Sequence, residues 1–318
     1  MGLLMSKVSG QVLCGINNIY TVAVADRKLQ CRIKGKVLKT DKRQYNPIAV
    51  GDLVEVLPDA FSQGEGWIIS RKERSSSLER WNKKRRASQV LAANAELLMC
   101  VASIKNPPFR PRFIDRVIIS TELGGLIPVV LLNKCDLGVE AAVRERVEVW
   151  EKNGYRVIRC SALTGEGISD LGEVIKGNTV AFVGQSGVGK SSILNCLEPR
   201  LKLKVGEISS KYDRGVHTTN FAVMIALNKN TYIIDTPGIR EFEVSGITQR
   251  DLHGFFPEFS PWSEGCAYSS CLHIDEPGCA VKEALERGDI HADRYSSYVR
   301  LFNDLSNFQK GFYGSAHN

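Results

Sequence analysis

The segment from Gly184 to Ser191 carries the clearest chemical signal in this 318-residue sequence. It fits the pattern G-x-x-x-x-G-K-[ST], and it lies between a predicted strand and a predicted amphipathic helix. In such a loop, backbone N–H groups surround phosphates, Lys190 places its charge on the β and γ oxygens, and the Ser191 hydroxyl can bind Mg²⁺. The loop is therefore predicted to bind a nucleotide through Gly184, Gln185, Ser186, Gly187, Val188, Gly189, Lys190 and Ser191.

Two further short motifs indicate which base is bound. Asn133, Lys134 and Asp136 belong to an N-K-x-D sequence that directly follows a predicted strand. A carboxylate at the Asp136 position can accept hydrogen bonds from N1–H and the exocyclic amine of guanine, a donor pair that adenine lacks. Ser161 and Ala162, also at a strand end, begin a sequence that supplies a backbone N–H for guanine O6 in families with this motif. These motifs predict GTP as the ligand in preference to ATP.

A fourth motif, Asp235-Thr236-Pro237-Gly238, follows a predicted strand at the position of a Walker-B aspartate. There Asp235 would hold Mg²⁺ through water, and the Gly238 N–H would sense the γ-phosphate. The polar segment 214–219 precedes it, and such loops become ordered around Mg²⁺ and the γ-phosphate. We expect one of Thr218 and Thr219 to bind the metal, and the sequence leaves open which of them does so.

The residues predicted to support hydrolysis are Lys190, His217, Thr218 and Thr219. Ile239 occupies the place where Ras-like GTPases have a glutamine that orients the attacking water, so slow intrinsic hydrolysis is expected. His217 is the best remaining candidate to orient or activate that water. The alternative is that His217 is only a surface residue of the loop.

The order of the motifs differs from that of an ordinary GTPase. Both base-reading motifs precede the phosphate loop, which predicts a circularly permuted domain. Strands alternate with helices in this region, as expected for an α/β domain with a doubly wound parallel sheet. The predicted strands are 97–102, 127–132, 155–160, 179–183 and 231–234, and the predicted helices are 112–123 and 140–152.

Short alternating segments separated by turn residues dominate the first seventy residues. Five strands, at 10–13, 20–24, 29–33, 52–57 and 66–69, predict a small β-barrel for which an OB-fold is the leading candidate. The following segment, 71–86, has eight basic and two acidic residues. It is interpreted either as a solvated linker or as a nucleic-acid contact.

Near the C-terminus, Cys266, Cys271, His273 and Cys279 form a compact Cys₃His pattern. Three thiolates and one imidazole complete a tetrahedral Zn²⁺ site, and four protein ligands make such a site structural. The alternative is a chance grouping of reduced cysteines beside a histidine. Predicted helices at 280–286 and 293–305 follow this pattern, so a small, mostly helical domain is expected.

Composition sets limits on the class of protein. With 43% hydrophobic and 24% charged residues, the sequence is typical of a folded, water-soluble protein. It lacks an apolar run of membrane-spanning length and a secretory signal pattern, so we expect a cytoplasmic protein. A monomer is expected as well, although the sequence does not determine the oligomeric state. The net charge of +7 permits an anionic partner. The predicted organisation is multidomain: barrel 1–70, basic linker 71–90, permuted GTPase domain 91–250, and zinc-knuckle and helical domain 251–318.

Taken together, these motifs resemble the ribosome small-subunit-dependent GTPase A family, whose members are circularly permuted GTPases of 30S maturation. The resemblance covers the barrel, the permuted domain and the Cys₃His pattern, and it adds Ser192 to the nucleotide-binding residues. It implies docking on the 30S subunit and its 16S rRNA near the decoding region, and hydrolysis stimulated by the ribosome. One departure is Val216, where the family usually has a second basic residue before the histidine.

Two other functions remain compatible with the residues. One is a permuted GTPase that acts on another RNA client, such as the 50S subunit or a tRNA. The other is a nucleotide-regulated RNA-binding adaptor whose hydrolysis is incidental, which the absence of glutamine at Ile239 would allow.

Overall fold

The structure is a computed structural model that describes residues 6–35, 38, 45–82, 86–203, 222–237, 239 and 242–313, with side chains described as far as residue 306. Within these ranges, no helix is both long enough and apolar enough to cross a membrane.

The N-terminal region is a closed five-stranded barrel, as the alternating sequence pattern predicts. Neighbouring strands pair in the order β1-β2-β3-β5-β4, and β4 returns to pair with β1, which closes the barrel. Every second side chain points inward, so Val22, Leu29, Val54 and Ile68 are buried in a common core. This arrangement is consistent with an OB-fold. The strands are β1 Val8–Ile16, β2 Ile19–Val24, β3 Arg27–Ile33, β4 Leu53–Pro58 and β5 Glu65–Arg71.

The segment expected to be a basic linker contains a β-hairpin. Its strands are β6 Ser77–Asn82 and β7 Ala87–Ala93, so the predicted loop character is wrong for these residues. Leu78 and Ala92 are fully buried and anchor the hairpin to the core of the following domain. Arg74, one of the expected solvated charges, instead pairs with the buried Asp52 at 2.7 Å. The proposed domain boundaries themselves stay a prediction.

The central domain is a six-stranded sheet in the order β10-β9-β8-β11-β13-β12. Five strands are parallel, and the edge strand β12 is antiparallel to β13, which departs from the fully parallel sheet that we expected. One bridge between Cys14 and Val223 connects this edge to β1 of the barrel. The strands are β8 Leu97–Ser103, β9 Ile127–Asn133, β10 Arg156–Arg159, β11 Thr179–Gly184, β12 Val223–Ala226 and β13 Tyr232–Asp235.

Helices cover both faces of the sheet, as in a doubly wound fold. Residues such as Ile114, Val117 and Trp150 fill one face, whereas Leu171 and Ile193 fill the other. Because the strands are buried on both sides, β8 and β9 are continuous apolar runs rather than alternating ones. The helices are α1 Pro111–Leu123, α2 Ala141–Lys152, α3 Ile168–Ile175 and α4 Lys190–Leu197.

The C-terminal region is mostly helical and packs against α1. Phe256, Phe259 and Tyr298 form its aromatic core, and Ile119 from α1 belongs to the same cluster. The region is therefore continuous with one face of the central domain. Its helices are α5 Ser260–Ser263, α6 Ala280–Arg287 and α7 Ala292–Tyr313, preceded by 3₁₀ helices at Leu252–Phe255 and Pro257–Phe259.

Candidate functional site

The phosphate loop connects β11 to α4, and its shape depends on glycine. Gly187 and Gly189 have φ of 85° and 97°, in the left-handed region that residues with a Cβ rarely adopt. A Cβ on Gly184 would lie 2.3 Å from the Val101 carbonyl oxygen. The loop therefore opens onto the N-terminus of α4, where free backbone N–H groups and the helix dipole favour an anion.

Lys190 and Asp235 lie together at the floor of this loop. Both side chains are buried, and the Lys190 Nζ donates to the Gly184 carbonyl oxygen at 2.7 Å. Burial raises the pKa of Asp235 to about 7, although Lys190 opposes the shift. Burial lowers the pKa of Lys190, and Asp235 opposes that shift in turn.

The Asp235 carboxylate has no hydrogen-bond partner on either oxygen among the described residues. A buried carboxylate without a partner among the described residues suits a hydrated cation, since oxygen donors are the ligands that Mg²⁺ prefers. The residues therefore fit the magnesium-bound nucleotide that the motifs predict. Of the predicted metal ligands, Thr218 and Thr219 lie outside the described residues.

Asn133 joins the base-reading motifs to the phosphate loop. Its side-chain amide donates to the Val188 carbonyl oxygen at 2.8 Å, and its oxygen accepts from the Ala162 N–H at 3.0 Å. The Ser161 hydroxyl donates to the Asp136 carboxylate at 2.5 Å, which orients the group that would read guanine. Hydrogen bonds thus hold three segments that are far apart in sequence, at residues 133–136, 161–162 and 188, together at one edge of the pocket.

Lys134 adds a second connection to the same loop. It adopts a left-handed backbone conformation with φ of 67°, and its Nζ donates to the Gly187 carbonyl oxygen at 2.9 Å. The ammonium also donates to the carbonyl oxygen of Asn106, which lies in the loop between β8 and α1. No sequence motif placed this loop in the site. Its only local signal was the consecutive prolines 107 and 108 after Asn106.

Ile239 is buried and packs within the central core, and its N–H donates to the Gly184 carbonyl oxygen at 3.3 Å. An apolar side chain in this position offers no hydrogen bond to a water molecule. The residue that orients the attacking water must therefore come from elsewhere. The predicted candidate His217 and the predicted γ-phosphate sensor Gly238 both lie outside the described residues and stay predictions.

Cys266, Cys271, His273 and Cys279 converge on one point, with all four ligand atoms within 4.8 Å of one another. The His273 Nδ1 lies 3.6 Å from the Cys266 sulfur and 3.5 Å from the Cys279 sulfur. Burial raises the pKa of Cys271 to about 12, so without a metal this thiol stays protonated. Three sulfur donors and one imidazole at this separation fit a tetrahedral metal ion.

Groups around this cluster hold the His273 loop in position. Tyr295 and Tyr298 on α7 donate to the carbonyl oxygens of His273 and Leu272 at 2.6 and 2.5 Å. The Glu276 carboxylate accepts from the backbone N–H groups of residues 272, 274 and 275. His273 itself has φ of 59°, so the turn that presents its ring depends on these contacts.

A phosphate loop after β11, base-reading motifs after β9 and β10, and this order along the chain define a circularly permuted P-loop GTPase, an enzyme that hydrolyses GTP. A profile for the RsgA GTPase matches residues 71–245. The chain belongs to the RsgA GTPase family.

Two relatives illustrate this relationship. A protein of Borreliella burgdorferi (strain ZS7), named Small ribosomal subunit biogenesis GTPase RsgA, is 38% identical over 96% of this chain and 99% of its own length. A protein of the same name from Chlorobaculum parvum is 39% identical over 94% of this chain and 98% of its own.

Solved structures agree with this membership. YjeQ from Thermotoga maritima superposes with a TM-score of 0.69 at 32% identity, over 94% of this chain and 99% of that one. YloQ, described as a circularly permuted GTPase, gives a TM-score of 0.66 at 25% identity over 96% and 98% of the two chains.

Proposed function

We propose that this GTPase binds the 30S ribosomal subunit, acts late in small-subunit maturation, and is stimulated by the subunit to hydrolyse GTP. The observation that carries the proposal is similarity along nearly the whole chain to proteins named for small ribosomal subunit biogenesis. The similarity includes the barrel and the C-terminal region, the parts outside the nucleotide site that would contact a large client. Work on ribosomal subunits would take place in the cytoplasm, with the protein acting as a monomer.

For the nucleotide, the proposal assigns the triphosphate to the phosphate loop and Ser192, and guanine to Asp136 and Ala162. Bound Mg²⁺, held by Ser191, Asp235 and one of the two threonines, would neutralise charge on the β- and γ-phosphates. Lys190 would release the Gly184 carbonyl oxygen that it contacts in this structure and turn to the phosphate oxygens. His217 would orient the water, in place of the glutamine of Ras-like enzymes.

The C-terminal cluster is proposed to hold one structural Zn²⁺. Four protein ligands leave no open position for a substrate, and the surrounding side chains secure the loop backbone instead of a reactive group. Its role would be to maintain the surface that the C-terminal region presents to a partner.

Basic residues around the hairpin support an RNA partner. Lys72 and Arg86 are exposed. Arg74 forms an internal ion pair with Asp52 and is not counted among the charges that could contact RNA. Contacts between such exposed charges and 16S rRNA phosphates would release counterions. Binding to the 30S subunit is therefore expected to weaken as salt concentration rises.

The experiment that tests the proposal is GTP hydrolysis with no addition, with 30S subunits, with 50S subunits and with bare RNA, using Lys190→Ala as the blank. Strong stimulation by 30S alone supports the proposal. A response confined to 50S subunits or to bare RNA would support the GTPase activity and replace the 30S subunit as the proposed partner. Tight nucleotide-dependent binding to 30S with no rise in turnover would favour the RNA-binding adaptor, which the buried Ile239 leaves chemically reasonable.

A further inference from the structure

A second cleft, which adjoins the Walker-B motif of the GTP site, lies where the barrel, the hairpin and the central sheet meet. Its volume is about 530 Å³, which is within the range of cavities that hold a small ligand. We call it the junction cleft and define it by Tyr20, Tyr45, Arg80, Gln89, Ala222 and Pro237. Pro237 belongs to the Walker-B motif Asp235 to Gly238, so this motif forms part of one wall of the cleft.

The junction cleft contains the Arg80 guanidinium, which has no carboxylate partner within the described part of the chain. Arg80 is half-buried, and its Nε and one Nη donate to the neutral Gln89 side-chain oxygen at 3.4 and 3.2 Å. None of the described residues that line the cleft is acidic, and burial lowers the pKa of Arg80. A partly desolvated guanidinium facing an open space is a strong site for a phosphate, which it can bind with two parallel hydrogen bonds.

Two tyrosine side chains line the same space. Tyr20 is buried in the wall, and a Cβ on Gly15 would lie 2.8 Å from its ring, so this ring is fixed against the backbone of β1. Tyr45 is 45% exposed at the rim. Aromatic side chains of this kind stack on nucleobases with little preference for sequence.

The remaining wall is held rigidly. The Tyr45 N–H donates to the Ser88 carbonyl oxygen at 2.7 Å, which ties segment 45–50 to β7. The Asn46 side chain donates to the Val90 carbonyl oxygen at 3.0 Å and accepts from the Val90 N–H at 3.1 Å. This wall of the cleft is therefore formed before any ligand binds, which reduces the entropic cost of binding.

We propose that the junction cleft binds a nucleoside phosphate, with the phosphate on Arg80 and the base against Tyr20 and Tyr45. The same chemistry is available from a free nucleotide and from an unpaired nucleotide of an RNA chain. The free-nucleotide source does not depend on the proposed ribosomal role, whereas the RNA source would give the cleft a part in it.

The test uses the full chain saturated with GDP and Mg²⁺, so that the guanine site is filled. Binding of AMP, CMP and UMP, and of a mixed-sequence single-stranded RNA hexamer, is measured by calorimetry. The variants are Arg80→Gln and Tyr45→Leu, and the control is Lys28→Gln, which removes an exposed charge on β3 away from the cleft.

We expect at least one probe to bind the unaltered chain and to bind Arg80→Gln about tenfold to a hundredfold more weakly, since a hydrogen bond to a charged group is lost. Tyr45→Leu should also weaken binding, and Lys28→Gln should not. Binding of mononucleotides identifies a free nucleotide as sufficient, and binding of the hexamer alone identifies RNA.

The proposal is overturned if no probe binds, or if Arg80→Gln and Tyr45→Leu bind as tightly as the unaltered chain. GTP hydrolysis without additions is measured on each variant to establish that it is folded. Should Arg80→Gln fail this check, Tyr45→Leu decides the outcome alone.

Discussion

Arg294 on α7 donates a hydrogen bond to the Asp115 carboxylate on α1 at 2.6 Å, and both side chains are fully buried. Arg146 on α2 also donates to Asp115, and Arg294 pairs with Glu258 at 2.6 Å. Burial alone would raise the pKa of Asp115, but the guanidinium groups of Arg294 and Arg146 hold it below its usual value. The C-terminal region is thus attached to α1 and α2 by a buried ionic cluster.

Removing one member of this cluster is predicted to be costly. Arg294→Ala should lower the free energy of unfolding by about 3 to 5 kcal/mol, because Glu258 loses its ion-pair partner and the buried Asp115 keeps only Arg146. The measurement is urea unfolding at pH 7. The control is Lys176→Ala, whose exposed pair with Glu173 should contribute almost nothing. Equal unfolding curves for the two variants would show that the cluster does not stabilise the fold.

A substitution in the phosphate loop tests whether its backbone geometry determines GTP affinity. A Cβ on Gly189 would lie 2.2 Å from the Asn133 side-chain nitrogen, so Gly189→Ala should displace the residue that joins the base and phosphate segments. We expect GTP affinity to fall by about tenfold or more, equivalent to about 1.4 kcal/mol. Fluorescent-nucleotide titration provides the measurement.

The matched control for that variant is Gly177→Ala. Gly177 also has a positive φ, 77°, but has open space where a Cβ would be added. It should lose about 1 kcal/mol of stability from backbone strain and retain GTP affinity. A similar loss of affinity in both variants would mean that strain, and not the contact with Asn133, explains the effect.

Local sequence patterns predicted those strands and helices whose spacing of apolar residues follows from which side chains are buried. The apolar runs of β8 and β9, and the helix predicted at 112–123, match the structure to within one or two residues at their ends. The hairpin of β6 and β7 was missed because β6 is dense in charged and polar residues and lies within the basic segment 71–86. Only the fully buried Leu78 within β6 revealed a packed face.

In the candidate site too, local sequence patterns predicted some features and could not predict others. Each motif was placed at the end of a strand because local patterns carry that information. The hydrogen bonds from Lys134 to Asn106 and from Asn133 to Val188 depend on how distant segments meet. The pair of Asp115 and Arg294 is separated by 179 residues and has no local signature, so single-sequence reasoning could not find it.

Replacing one ligand of the C-terminal cluster should remove its metal. Purified protein is expected to contain about one zinc ion per chain, and Cys279→Ser should contain far less, because zinc prefers a complete tetrahedral set. The thermal midpoint should fall as well, since Cys279 belongs to the aromatic core of the region. Elemental analysis and thermal unfolding are the measurements.

Cys196→Ser is the control for that experiment, because Cys196 is exposed on α4 and far from the cluster in sequence. It should keep its zinc and its thermal midpoint. Full zinc content in Cys279→Ser would contradict the assigned ligand set.

Replacing the buried carboxylate of Asp235 is predicted to raise stability and to abolish GTP hydrolysis. Its pKa is raised from 3.8 to about 7 in the folded chain, so its contribution to stability is complete below pH 3.8 and is lost as pH rises through 7. Without nucleotide or Mg²⁺, Asp235→Asn should therefore be more stable than the unaltered chain at pH 8, by about 1 to 3 kcal/mol. The difference should shrink toward pH 5, while GTP hydrolysis by the variant is lost at every pH. Urea unfolding from pH 5 to 8 gives the comparison, and a stability gap that stays constant across this range would show that Asp235 is not held in the uncharged form by burial.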